Sequence, residues 1–385
     1  MNRIPSPAVD ALRLGEMSSE EWVALASLGD PVGVLSACVD FSSGGRQRAE
    51  AEVRPVVASM ADDVPGGDIS RDRWRSMVDS ALEGLLGAVE ADVEPGERGR
   101  AVFWPISNGH GAIVRSASPV PSHVVIGRRP YLRALASVDA GSALTAVVGV
   151  THGGVTITEF WGRYSRAEWS VPIDEGATAR RLQGPSRSRL EPGSRAQVHG
   201  DLVDDRRQLH LERAIRTAIE HVVGQARRRG WASVVVGGDV RDATIASEAL
   251  IESGVPALIH PRHVQSPRER QAALAMAADD RQRRAGDAVA EFVESLDADR
   301  AVVGAGDTVE AIEAGRARRI VMAAPGSAPM TGLPPSPLVN LEDIGRDDAL
   351  EGVVWSAMSG SVPLLTVSGD AVQRLPTPYV GAFLE

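Results

Sequence analysis

Apolar positions along this chain follow two repeats. Over 71–89, Trp74, Val78, Ala81, Leu82 and Leu85 recur at three- and four-residue steps, which predicts an amphipathic helix. Leu211, Ile215, Ala218, Ile219, Val222 and Ala226 predict a long helix over 207–229 in the same way. Val289, Phe292, Val293 and Leu296 predict another over 281–296, and further helices are expected at 18–28, 47–61, 130–138, 245–253 and 347–360. Short apolar runs predict strands at 32–41, 100–106, 124–126, 233–236, 257–259 and 362–367, the last taken as the final strand. Two more, 143–150 and 154–161, meet at a His-Gly-Gly turn that signals a hairpin, with a third strand at 166–171.

The stretch 302–321 predicts a short helix and the strand after it, the strand running over 320–324. Asp307 followed by Glu310 reads as a capping-box-like start, Val309 and Ile312 share one face, and Gly315 reads as the stop. Two segments show no periodicity. Residues 174–204 are rich in Arg, Ser, Gly and Pro, and a loop of that length inside a compact domain is a functional or an unstructured segment. Residues 326–337 form a Pro-rich loop, and 265–270 a polar joint.

A length of 385 residues suits two or three domains. The pattern of elements divides as an N-terminal α/β domain over 1–141, a middle domain over 142–265 that carries the long Arg-rich loop, and a C-terminal α/β domain over 266–385. The fold class expected is α/β and α+β with mixed sheets. The single cysteine, Cys38, lies in an apolar run and excludes both an internal disulfide and a multi-cysteine zinc site. No apolar run approaches the roughly 18 residues that span a bilayer. Residues 1–21 hold no signal-peptide core, so a cytoplasmic location is expected.

All 41 basic residues are arginine. The absence of lysine removes a Walker A loop, a Schiff-base lysine and a pyridoxal phosphate anchor. The Ala, Arg, Gly and Val bias matches a high-GC, actinobacteria-like genome. Net charge is −10, against a generic nucleic-acid binder. Its distribution changes that picture. Residues 160–229 hold 14 Arg against nine acidic residues, a local net of +5. A basic segment in an acidic chain suits RNA contact through one domain, or a solvated charged surface.

The order in the middle is strand, turn, strand, strand, long polar loop, Arg-rich helix, then a strand ending Val235-Val236-Gly237-Gly238. This arrangement, the 302–321 block, Gly44-Gly45 after the first strand, Gly99-Arg100 and Arg129-Pro130-Tyr131-Leu132 resemble the bacterial branch of the archaeo-eukaryotic class I release factor and Pelota superfamily, which includes ribosome hibernation factors. The resemblance implies a three-domain release-factor-like architecture and a ribosome-associated translation factor that binds the ribosomal A site. It implies that the middle domain reaches the peptidyl-tRNA region and that the third domain docks a translational GTPase such as elongation factor Tu. No cofactor is implied.

The chain departs from the family where chemistry is concerned. Gly-Gly-Gln is absent, and its nearest equivalent is Gly193-Ser194-Arg195-Ala196-Gln197. Glycines in that motif let backbone approach the ester bond, and the glutamine positions water by preorganised hydrogen bonding. Gln197 is the candidate catalytic residue for peptidyl-tRNA hydrolysis; its alternative is an ordinary polar loop residue. Arg187, Arg189, Arg195, Arg206, Arg207 and Arg213 are the candidate RNA-binding residues, because guanidinium suits phosphate. The lysine-containing stop-codon motif of the family cannot exist here, so codon reading is not expected. Hibernation or rescue therefore leads, active peptide release comes second, and a small-molecule-binding α/β protein outside translation is the third reading.

The remaining motifs read as structure. His260 and His263 have metal-like spacing but no acidic or cysteine partner nearby, and are taken as a loop pair. Gly237-Gly238 and Gly304-Ala305-Gly306 lack a full dinucleotide fingerprint. Arg227-Arg228-Arg229 could serve a helix C-terminus or RNA.

Overall fold

The computed structural model describes residues 11–41, 45–60, 69–173, 195–324, 338–339, 349–377 and 379–385. From the N-terminus these run β1 (Ala11–Arg13), α1 (Ser19–Ala26), β2 (Val34–Asp40), α2 (Gly45–Met60), α3 (Arg71–Glu90), β3 (Gly99–Pro105), β4 (Ala112–Ser116), β5 (His123–Gly127) and α4 (Arg133–Ser142). Then come β6 (Leu144–Thr151), β7 (Gly154–Trp161), β8 (Tyr164–Pro172), α5 (Arg195–Arg229), β9 (Ser233–Gly237), α6 (Val240–Glu252), β10 (Ala257–His260) and α7 (Pro267–Asp297). The chain closes with β11 (Ala301–Val303), α8 (Ala305–Glu313), β12 (Ala317–Ala323), β13 (Leu338–Val339), α9 (Ala349–Ser359), β14 (Leu364–Val367) and β15 (Val380–Leu384).

Three mixed sheets result, in the orders β1-β4-β3-β2-β5-β13, β10-β9-β6-β7-β8 and β11-β15-β12-β14. The chain divides into two compact units, Met1–Ser142 with Arg281–Glu385, and Ala143–Asp280.

In the first unit, alternation along the strands builds two cores. Val34, Cys38, Ala101, Phe103 and Val114 face one side of the first sheet; Leu35, Ala37, Val39, Val102 and Trp104 face the other. Helices α2 and α3 cover the second side with Val53, Val57, Trp74, Val78 and Leu85. Trp74 is fully buried among them. The first side packs on residues far along the chain: Ile320 and Met322 of β12, Val380 and Ala382 of β15, and Val353, Val354 and Ala357 of α9. The opposite face of the third sheet, with Val321 and Phe383, packs on Val289 and Phe292 in the second half of α7.

Two buried ionic groups fix this unit. Arg100 is wholly buried on β3. Its Nε and Nη2 donate to Glu97 at 2.7 and 3.0 Å. Its Nη1 and Nη2 reach the carbonyls of Ala88, Val89, Ala91 and Asp92, which close the end of α3. An arginine fork thus satisfies the orphan carbonyls that every helix C-terminus leaves. Glu351 of α9 does the converse. Its carboxylate accepts from Leu132 N–H at 2.7 Å and Arg133 N–H at 3.0 Å, capping the start of α4. Trp355 Nε1 donates to Pro130 O at 2.8 Å, and Arg129 lies over the Trp355 ring. The Arg129-Pro130-Tyr131-Leu132 motif is therefore the seat of α9.

In the second unit, β6, β7 and β8 form an antiparallel meander, and β9 and β10 add in parallel. Val147, Phe160 and Val235 on one face pack on Ala273, Leu274 and Ala277 of the first half of α7. Ile215, Ala218, Ile219 and Val222 of α5 are buried, as are Ala243, Ala246 and Leu250 of α6.

Several expectations are corrected. Helix α5 begins at Arg195, inside the segment expected to be a loop up to 204. Apolar spacing starts only at Leu211, so the N-terminal part of α5 gave no periodic signal. The polar joint at 265–270 is the start of α7, with Pro267 at its first position, where a missing N–H costs nothing. Helix α8 starts at Ala305, so Asp307 and Glu310 lie within it and cap nothing; Gly304, at φ 111°, makes the turn instead. Strand β14 is not the last: β15 lies between β11 and β12. Residues 174–194 and the Pro-rich loop 326–337 lie outside the described residues.

Candidate functional site

Helix α5 carries the arginines that the sequence singles out. Its inner face is set by Ile215, Ile219, Val222 and Ala226, all buried. On the opposite face, at steps of four, three and eight, stand Arg213, Thr217, Glu220 and Arg228, all exposed. Arg213 and Arg228 are fifteen residues apart, roughly 22 Å along the axis.

The other arginines in this half of the helix are engaged. Arg216 lies within 3.5, 3.9 and 2.9 Å of Glu212, Glu248 and Glu252, and this acidic setting raises its pKa. Arg227 Nη2 donates to Ser253 O at 2.8 Å. Arg229 pairs with Glu159 at 3.1 Å and lies over the Trp169 ring at 4.6 Å. Two of the three residues in the 227–229 run thus hold α5 in place, and Arg228 points outward. Among the described residues, neither Arg213 nor Arg228 has an ion-pair partner.

Of the residues expected to touch RNA, Arg213 is exposed on this outer face. Arg195, Arg206 and Arg207 belong to the α5 backbone, and Arg187 and Arg189 lie outside the described residues. Gln197 is the third residue of α5, not a loop residue. Its backbone N–H is among the first four of the helix, which have no carbonyl partner within it.

A buried group that sequence reasoning missed underlies this surface. Glu159 of β7 is fully buried. Trp231 Nε1 donates to it at 2.7 Å and Arg229 Nη1 at 3.1 and 3.3 Å. Taking a carboxylate out of water costs several kcal/mol unless it is paired. The signal was available: a lone acid inside the apolar run Ile157-Thr158-Glu159-Phe160-Trp161.

The two histidines differ in setting: His263 is exposed, whereas His260 has the acidic neighbour Glu269 that was not expected. His260 is buried, with Nδ1 3.1 Å from Arg262 O and Nε2 3.8 Å from Glu269. Among the described residues no group of three or more His, Cys, Asp or Glu could hold a metal ion. Nor is any described helix long and apolar enough to cross a membrane. The turn at Gly237-Gly238 is filled by protein: a Cβ at Gly237 would meet Arg262 O at 2.5 Å, and one at Gly238 would meet Val150 O at 2.6 Å.

No protein-family model matches the chain, and no curated protein matches it. Among solved structures, an archaeal translation termination factor, aRF1, is 15% identical, covering 97% of this chain and 99% of its own, with a TM-score of 0.26. The Saccharomyces cerevisiae protein Dom34, described as a translation termination-like factor in RNA quality control, is 8% identical over 96% of this chain and 91% of its own, with a TM-score of 0.40. An archaeal Pelota in a ribosome-bound complex with ABCE1 is 11% identical over 96% and 94%, with a TM-score of 0.39. No residue of this chain takes a role from these likenesses.

Proposed function

We propose that the chain is a ribosome-associated translation factor that enters the ribosomal A site with its second unit, in hibernation or rescue, without reading a stop codon. The observation that carries this reading is the outer face of α5. Arg213 and Arg228 are exposed with no acidic partner among the described residues, in a segment of net positive charge within an acidic chain. A guanidinium held on a rigid helix is suited to phosphate. Arg187, Arg189, Arg195, Arg206 and Arg207 belong to the same basic segment of the sequence. In this reading the C-terminal segment docks a translational GTPase such as elongation factor Tu.

Co-sedimentation with vacant ribosomes across a salt series tests it. Retention at low salt with a steep loss as salt rises is expected, since phosphate contacts release counterions. No co-sedimentation, with or without a translational GTPase, would sink the reading.

Peptide release is a second activity of the same reading. The position of Gln197 in the first turn of α5 favours it, because the first backbone N–H groups of a helix lack carbonyl partners within it and can stabilise developing negative charge. A peptidyl-tRNA hydrolysis assay decides. Activity that survives Gln197→Ala removes Gln197 as the catalytic residue, and no activity in the native protein leaves binding alone.

A further inference from the structure

A cavity opens in the first unit that the proposed ribosome contacts do not use. It measures about 280 Å³, the liquid volume of about nine waters. Its walls include Trp22 of α1, Ala136 and Asp139 of α4, Met358 of α9, and Val362 and Leu364. These apolar side chains are joined by the polar groups of Ser19 and Ser361 and by one carboxylate, Asp139.

Asp139 Oδ1 accepts the Gly15 N–H at 3.1 Å. Burial pushes its carboxyl above the ordinary aspartate range, and the Gly15 hydrogen bond only partly offsets this. No basic side chain lines the cavity among the described residues. An ionised carboxylate only accepts hydrogen bonds, so a group that completes this site must donate, and a positive charge answers the burial cost best. The volume lies just below the usual range for ligand pockets, roughly 300–1,000 Å³, which points to a small molecule.

We propose that this cavity binds a small organic amine with an apolar body, its ammonium on Asp139 and its hydrocarbon against Trp22, Met358 and Leu364. The site is independent of the α5 surface, so it stands or falls apart from the ribosome reading.

The test uses the full chain with 13C-methyl-labelled methionine, which gives eight methyl signals, Met358 being assigned through Met358→Leu. The probes are 2-phenylethylamine and isopentylamine, with 2-phenylethanol as the uncharged control. Both amines are expected to shift the Met358 signal saturably, with the alcohol at least tenfold weaker and Asp139→Asn weakening the amines at least tenfold. An unmoved Met358 signal with both amines overturns the proposal. So does an alcohol that binds as well as the amine, or an Asp139→Asn protein of native melting behaviour that binds amines unchanged. If Asp139→Asn does not fold, the difference between amine and alcohol on the native protein decides.

Discussion

Arg100 in the first unit and Arg213 in the second are the same side chain in opposite surroundings. Arg100 has no solvent exposure, and its donors end on Glu97 and four carbonyls. Arg213 stands in water on the outer face of α5. A chain without lysine must use arginine for both purposes. The arginines that hold the fold are those whose donors are engaged by carboxylates or carbonyls of the protein. Those left for a partner are exposed and have neither an acid nor a carbonyl partner among the described residues. Arg216, ringed by three carboxylates, shows that lying on α5 is not enough.

The sharpest way to break this comparison is Arg100→Ala. It leaves Glu97 buried without its main partner and uncaps α3, so a loss of about 3–5 kcal/mol is expected in urea unfolding. A loss under about 1 kcal/mol would mean that the buried fork does not hold the unit. Next comes Glu351→Gln, which weakens the cap on two buried N–H groups. About 1–3 kcal/mol should disappear from the same measurement.

Asp30 adds a pH dimension. Burial alone would raise its pKa, but the Ser107 hydroxyl and the N–H groups of Ser107, Val32 and Gly33 together outweigh burial and hold it below the usual aspartate value. Its stabilisation is full above the unfolded pKa near 3.8 and is lost as pH falls through the lower folded value. The stability difference between native protein and Asp30→Asn should therefore be largest near neutrality and shrink below about pH 4. A gap independent of pH would refute the assignment. The smallest structural effect is expected from Arg213→Ala and Arg228→Ala. Neither should move the unfolding midpoint, yet each should lower the salt slope of ribosome binding by about one. Unchanged slopes would remove α5 from the interface.

Elements with an apolar period were legible in the sequence, including α3, the C-terminal half of α5 and the β6–β7 hairpin. Strands β1, β4, β11 and β15 were not. Strand β15 contains Gly381, a residue that weakens strand signals; it is there because a Cβ would collide with the Phe292 ring and with Val302 O. The start of α7 is Ala-rich, and small residues read as neutral until Ala273 and Ala277 are seen packed on the sheet. At the candidate site, the charge of 160–229 was visible, but which arginines were already committed was not. Arg216 and Arg229 are neutralised by Glu248, Glu252 and Glu159, acids that lie distant in sequence and meet them only in the folded unit.

The Glu351 cap also sets a timetable for synthesis. Its partner Leu132 leaves the ribosome 219 residues earlier. At ordinary elongation rates that gap is roughly 10–40 s. Throughout it, the start of α4 has no cap, and the core on that face of the first sheet lacks Ile320, Met322 and Val353. All of residues 143–280 must be translated in between. The nascent N-terminal segment is therefore a natural client for chaperones, and its demand for them should end only once α9 has emerged.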